Sequence, residues 1–184
     1  MAIETERLDL RAWQKSDREE FARLNSDVRV MEFMPACLSP AQSDLFLDRI
    51  KQHFLKYGFG LFAVELRKKR RFIGALGLMV PAFEARFTPC VEIGWRLAAD
   101  CWGCGLATEG AKAVVHHAFE SLRLESLVSF TVPANVRSRR VMEKIGMTRD
   151  PADDFKHPNL PDRHPLRPHV LYRLSRTDWM RARR

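Results

Sequence analysis

Between Arg7 and Trp13 apolar and polar residues alternate, with Leu8, Leu10 and Ala12 on one side, and a period of two predicts a half-buried strand. A helical spacing follows. Ser16 with Glu19 three residues later predicts a capping box, and Phe21 and Leu24 give the short helix its buried face. A second helix is expected from Ser39, where Pro40 fits the first turn and Gln42 completes another capping box. Its expected apolar stripe is Leu45, Phe46, Ile50, Phe54 and Leu55, and Gly58 ends it.

Phe59 to Leu66 and Phe72 to Val80 return to strand patterning on either side of a basic turn, Lys68-Lys69-Arg70-Arg71. Gly74 and Gly77 weaken the second strand and point to a bulge or to close packing. Pro81 to Pro89 reads as a loop, Val91 to Leu97 as a strand, Thr108 to Leu122 as a central helix and Ser126 to Val132 as another strand. Pro133 and Asn135 turn the chain into a short helix, Arg137 to Ile145, closed by Gly146. Prolines 151, 158, 161, 165 and 168 make Arg149 to Pro168 an ordered loop or a lid, ahead of a last strand, His169 to Leu174. Hairpins in the first half, and a strand–helix–strand unit that can be parallel, predict a mixed α/β sheet. One domain is expected over 1–184, with a core at 7–175 and a basic C-terminal tail at 176–184 in which Arg181, Arg183 and Arg184 are expected to fray.

The stretch Glu92 to Gly110 combines these signals in one place. A strand with Ile93, Trp95 and Leu97 is followed by Gly103 and Gly105, and then a helical pattern opens. A glycine-bearing loop at a helix start presents several backbone N–H groups and the positive end of the helix dipole to one anion. The stretch is expected to hold a phosphorylated ligand, although two glycines can also mark a tight helix entry with no ligand at all.

Composition narrows the class without naming it. No apolar run approaches the roughly 20 residues of a membrane span, and four cysteines (Cys37, Cys90, Cys101, Cys104) do not make a disulfide scaffold. A cytoplasmic protein without membrane partners is expected. The net charge of +8 fits nucleic acid, a phosphorylated ligand or plain solubility. A nucleic-acid module would cluster its basic residues with exposed aromatics, whereas the aromatics here fall mostly in strand and helix cores. Cys101-Trp102-Gly103-Cys104 has C-x-x-C spacing, but His116 and His117 are adjacent rather than three to five residues apart. No metal is therefore expected.

Several segments carry a family resemblance. The opening Thr5-Glu6-Arg7-Leu8, the strand Glu92-Ile93-Gly94-Trp95-Arg96-Leu97, the loop Trp102-Gly103-Cys104-Gly105-Leu106-Ala107-Thr108-Glu109 and the segment from Asn135 to Met147 stand in one order. Together they resemble the GNAT superfamily of acyl-CoA-dependent N-acyltransferases, and within it the ribosomal-protein alanine N-acetyltransferase (RimJ/RimL-type) branch. The resemblance covers nearly the whole chain. It implies a single α/β (mixed α+β) domain with a central, mostly antiparallel sheet flanked by helices, its strands splayed around acetyl-CoA. It also implies acetyl transfer to a primary amine by direct attack in a ternary complex. The acceptor would be a protein N-terminal α-amine or a small-molecule amine, and a homodimer is compatible with it. A catalytically silent acyl-CoA-binding domain, and less so a basic nucleic-acid-binding module, stand as alternatives.

Site roles follow from that resemblance. Trp102, Gly103, Cys104, Gly105, Leu106, Ala107 and Thr108 would hold the CoA pyrophosphate, and the strand edge would pair with pantetheine, with a bulge at Gly94. The amide of Leu97 would polarise the thioester carbonyl as in an oxyanion hole. Asn135 would contact the pantetheine arm, or serve only as a helix cap. Ser138 would sit near the sulfur and hydrogen-bond the departing thiolate, because the tyrosine found four residues later in many relatives is Met142 here. Arg137, Arg139 and Arg140 are candidates for the 3′-phosphate, Arg140 foremost, or form a solvated helix face. Glu92 is the candidate base, or else a cross-strand partner of Arg96. His157, His164 and His169 are pocket-wall candidates. At pH 7 an α-amine of pKa ~8 costs ~1.4 kcal/mol to deprotonate and a lysine of ~10.4 costs ~4.6 kcal/mol, so a weak base favours α-amines.

Overall fold

Leu8 and Leu10 are fully buried, and their strand lies near one edge of a nine-stranded sheet. The computed structural model describes residues 2–183. Its strands are β1 (Ile3–Glu4), β2 (Leu8–Arg11), β3 (Leu61–Leu66), β4 (Arg71–Met79), β5 (Glu92–Leu97), β6 (Ser126–Thr131), β7 (Thr148–Arg149), β8 (Phe155–Lys156) and β9 (Pro168–Ser175). The helices are α1 (Asp17–Ser26), α2 (Pro40–Tyr57), α3 (Leu106–His116), α4 (Val136–Lys144) and α5 (Arg176–Arg181). The sheet runs β1-β2-β3-β4-β5-β6-β9-β7, with β8 also on β9. Among the described residues only β5 and β6 pair in parallel, so the sheet is mixed and mostly antiparallel, as expected.

The period-two alternation sorts side chains onto two faces. On one, Leu76, Leu78, Ile93 and Leu97 join Val114 and Phe119 of the α3 region and Met142 and Ile145 of the α4 region in the main core. On the other, Ala75 meets Phe21 and Leu24 of α1 and Leu47 and Ile50 of α2. Close contact with neighbouring backbone explains two glycines in β4. A Cβ on Gly74 or Gly77 would run into the carbonyl of Arg96 or of Gly60, and both have positive φ.

Four local expectations are corrected. No capping box forms at Ser16, whose backbone is already helical. The Asp17 carboxylate instead accepts the Gln14 N–H at 2.7 Å and both ends of the Arg11 guanidinium at 2.7 and 2.9 Å. In α2 the capping box of Ser39 and Gln42 forms, but Leu45 and Leu55 point to solvent. The helix turns Ser43, Leu47, Ile50 and His53 inward. Those two polar residues tolerate burial because they are bonded. Ser43 accepts from Asn25 at 2.9 Å, and His53 accepts the Val80 N–H through Nε2 at 2.9 Å, leaving Nδ1 to donate to the Phe59 carbonyl at 2.8 Å. The Gly94 bulge is absent, since the β4–β5 register is unbroken from Gly74–Leu97 to Met79–Glu92. The basic tail is not frayed over Arg176–Arg181: Ser175 caps α5, and Trp179 packs on Phe119 at 5.4 Å. Arg184 lies outside the described residues.

The central helix starts at Leu106, two residues before the expected Thr108, and ends at His116. The chain then takes a wider turn, closed by the Leu122 N–H on the His117 carbonyl at 3.1 Å.

Candidate active site

The start of α3 is bare. Gly105 precedes it with φ 80°, a left-handed conformation that suits glycine, and supplies no side-chain cap. The first turn closes with the Glu109 N–H on the Gly105 carbonyl at 3.0 Å. The N–H groups of Leu106, Ala107 and Thr108 therefore have no partner within the helix. Arg7 orients the loop ahead of them. Its Nη1 donates to the Cys104 carbonyl at 2.9 Å, and across a trans peptide that turns the Gly105 N–H the opposite way. Arg7 is itself clamped: Nε donates to Glu109 Oε2 at 2.6 Å and its backbone N–H to Oε1 at 2.8 Å. The Thr5 hydroxyl also donates to Oε1, at 2.6 Å. Burial alone would raise the Glu109 carboxyl, but these bonds hold it below its ordinary range. Gly103, Cys104 and Gly105 are exposed, so the amides open to the surface. The sequence named this loop, but the clamp gives Thr5 and Arg7 a purpose that spacing did not reveal.

Next to the loop, β5 and β6 part. They share the Glu92–Val128 pairing, the Val128 N–H on the Val91 carbonyl at 2.9 Å and the Ser129 hydroxyl on the Ile93 carbonyl at 2.9 Å. No pairing with β6 follows from Gly94 to Leu97. Carbonyls of odd-numbered residues face β6, and Ala98 N–H on the Ile73 carbonyl at 2.8 Å keeps the even-numbered positions turned to β4. The backbone N–H groups of Trp95 and Leu97 thus face the gap. The Leu97 carbonyl accepts from the Trp102 indole at 2.8 Å. Across the gap the Trp95 indole donates to Ser138 Oγ at 3.3 Å, a contact that was not anticipated. Asn135 caps α4, accepting the Ser138 N–H at 3.2 Å and donating to Thr131 Oγ1 at 3.0 Å. Met142 is buried in the core.

Glu92, Gly94 and Arg96 line the opposite face of β5. The alternative role for Glu92, a partner for Arg96 or for a neighbouring basic residue, is not taken up among the described residues. Glu92 is half-buried with no hydrogen-bond or ion-pair partner among the described residues, and burial pushes its carboxyl up to about 8. Arg96 donates from Nη1 to Asn25 Oδ1 at 2.6 Å, and its guanidinium lies 5.4 Å from the Phe46 ring centre. Phe130, in register with this face through Val128, belongs to an aromatic wall with Phe83, Phe87 and Phe155. His157 and His169 join that wall, their rings 5.1 Å apart, and burial lowers both pKa values. His164 turns away, accepting the Leu166 N–H at 3.1 Å within its own loop.

The three arginines of α4 separate. Arg137 pairs with Glu32 at 2.7 Å and covers the Trp102 ring at 4.4 Å. Arg139 is spent on the Pro133 carbonyl at 3.1 Å and the Tyr172 hydroxyl at 3.4 Å, so it faces the fold rather than a ligand. Arg140 is exposed, and its side chain makes no hydrogen bond or ion pair among the described residues. Trp102 is a wall between strand, loop and α4, with its one N–H already used. Cys101 is buried with its thiol 3.5 Å from Arg71, and Cys104 is exposed.

A family model described as an acetyltransferase (GNAT) domain matches residues 7–148. The protein described as uncharacterized N-acetyltransferase YnaD, of Bacillus subtilis strain 168, is 29% identical over 154 residues, covering 82% of this chain and 84% of that protein. The crystal structure of a GNAT-family acetyltransferase from Bacillus anthracis superposes with a TM-score of 0.78 at 25% identity, covering 96% and 99% of the two chains. That of the ribosomal-protein-S5-alanine acetyltransferase of Vibrio fischeri gives 0.75 at 17% identity over 97% and 98%, a likeness of fold alone. No helix among the described residues is long and apolar enough to cross a membrane.

Proposed function

Because this chain belongs to the GNAT family of acetyltransferases, we propose that it moves the acetyl group of acetyl-CoA onto a primary α-amine, of a protein N-terminus or a small molecule, by direct attack in a ternary complex. The observation that carries this reading is the unpaired edge of β5 from Gly94 to Leu97, lying beside the bare amides of α3. Together they offer a strand edge for an extended amide-bearing arm and a cradle for its phosphates.

The cofactor supplies an activated acetyl thioester, and the chain supplies everything around it. The amides from Gly103 to Thr108 hold the pyrophosphate, with Trp102 as a wall. The Leu97 N–H takes the thioester oxygen as negative charge develops on it. Glu92 takes the proton that the ammonium must lose before its nitrogen can attack the carbonyl carbon. As the new N–C bond forms, the C–S bond breaks and sulfur leaves with the electron pair as thiolate, while the second proton, shed by the new amide nitrogen, goes to that thiolate or to solvent. Ser138, held by the Trp95 indole, hydrogen-bonds that thiolate. Asn135 fixes the turn that carries Ser138, and Arg140 is the basic residue left for the 3′-phosphate.

A carboxyl near 8 matches an α-amine of pKa ~8, whereas a lysine of ~10.4 leaves a mismatch of ~3 kcal/mol. This match, and the serine that stands for a tyrosine acid, support the ribosomal-protein alanine N-acetyltransferase-like branch. Thermal denaturation with acetyl-CoA or CoA, followed by thiol release across a panel of amines, tests the proposal. Stabilisation by both and turnover favouring α-amines over lysine ε-amines is the expected result. Absence of any shift with either ligand overturns it.

A further inference from the structure

Arg96 is a cation without a counter-charge. The chain neutralises another partly buried arginine, Arg11, with two carboxylates, Asp17 at 2.7 Å and Glu65 at 2.9 Å. No carboxylate meets Arg96 among the described residues. Its contacts are the Asn25 amide oxygen at 2.6 Å, the Met34 sulfur at 3.5 Å and the face of Phe46. Asn25 is fully buried and fixed by Ser43 at 2.9 Å, so the guanidinium is aimed by neutral groups that leave its charge intact. These contacts leave Nε and one N–H on each terminal nitrogen unassigned. Burial lowers its pKa to about 10, a cost that an anion would relieve.

Between Arg96 and Glu92 the strand face is open. A Cβ placed on Gly94 would find within 4 Å nothing but Glu92 Oε1, at 3.9 Å. Four strand steps separate the two Cα atoms by roughly 13 Å, and the Glu92 side chain lies over Gly94, which shortens the gap between the functional groups. The face is a groove with a proton acceptor at one end, a free cation at the other and no side chain in the middle.

We propose that Arg96 is the acceptor-specificity residue: its planar fork receives an anionic group, carboxylate or phosphate, carried by the amine substrate several bonds from the reacting nitrogen. This rests on the acetyl-transfer reading, with the amine at the Glu92 end. It makes the acceptor a small amine of amino-acid to dipeptide size with one anionic end. A guanidinium and such an anion match in shape as well as charge.

The test uses the full chain, acetyl-CoA and matched acceptors, read as thiol release. Glycylphenylalanine is set against glycylphenylalaninamide, and phosphoethanolamine against ethanolamine. The anionic member of at least one pair is expected to be used about tenfold or more better in kcat/KM, as for a charge-assisted hydrogen bond. Whichever pair shows the preference identifies carboxylate or phosphate. Arg96→Met is expected to abolish the preference by raising KM for the anionic member about tenfold relative to the neutral member, while the thermal shift with acetyl-CoA is retained. Arg96→Lys restores part of it. Gly94→Val, which needs no strained backbone, fills the groove floor and should raise KM for the dipeptide more than for ethanolamine. Equal use of charged and neutral members by the unmodified enzyme overturns the proposal. So does a preference that survives Arg96→Met with the acetyl-CoA shift intact. If no amine releases thiol, it is the acetyl-transfer reading beneath it that fails.

Discussion

The Glu92 carboxyl is half-buried and unpaired among the described residues, and its titration makes both folding and the proposed chemistry depend on pH. In the folded chain it titrates at about 8 because burial disfavours its charged form. In the unfolded chain a glutamate titrates near ~4.3. Between those values the folded state holds the proton and the unfolded state does not, so stability falls as pH rises through the window. Glu92→Gln, which cannot ionise, should therefore gain thermal stability over the parent at about pH 8.5 and lose that advantage near pH 4. Melting curves across pH read this directly. If Glu92 is the base, kcat/KM of the parent at pH 7 exceeds that of Glu92→Gln, which can use only amine that is already neutral and so keeps just the limb set by the amine's own pKa of ~8. Ser138→Ala should lower kcat roughly tenfold with acetyl-CoA affinity little changed, the loss of one hydrogen bond to a charged group; stopped-flow thiol release and calorimetry separate the two. The sequence made Glu92 and Ser138 visible through motif position. It did not reveal that Glu92 stands unpaired or that Trp95 holds the serine, because both depend on which strands stay apart, a long-range outcome that no local pattern encodes.

At the scale of elements, the cradle is a helix start left uncapped and kept open by a neighbouring strand. The segment before β2 holds the loop before α3 through Arg7, Glu109 and the Cys104 carbonyl. Arg7→Met should weaken acetyl-CoA binding about tenfold by releasing that carbonyl and leaving Glu109 uncompensated, a change of ~1–3 kcal/mol measurable by calorimetry. Gly105→Glu should abolish binding, because it adds negative charge and a side chain where φ is 80°, while melting without ligand falls by only about 1–2 kcal/mol of stability. Most elements could be read in the sequence because their signals were local: the Ser39 capping box, Gly58 as a helix stop and the glycines of β4 all do what spacing predicted. The stripe of α2 was misread because Ser43 and His53 count as polar until their partners Asn25, Phe59 and Val80 are brought to them by the fold. Likewise α5 reads as a tail in the sequence because its anchor, Trp179, packs on Phe119, some sixty residues earlier.

For the whole molecule, one sheet serves two packings, and the cleft opens where its only parallel pairing gives out. Ligand that bridges this cleft should stabilise the fold by about 2.7 kcal/mol at a hundred times its dissociation constant. Amide exchange should slow most in residues 94–97 and 103–108, and protection confined to other segments would count against the cleft as the binding site. The pair of Glu32 and Arg137 has a consequence of a different kind. It ties the segment between α1 and α2 to the start of α4, and its side chains are about half exposed, at 50% and 55%. Such a pair is screened by ordinary electrolyte, whose Debye length shrinks from about 10 Å at 0.1 M to 3 Å at 1 M. Raising potassium chloride through that range should loosen this fastening before it affects the buried pair of Arg11 and Asp17. The enzyme's KM for an acceptor without an anionic group should therefore respond to ionic strength while its melting temperature scarcely moves, and Glu32→Gln should remove most of that response.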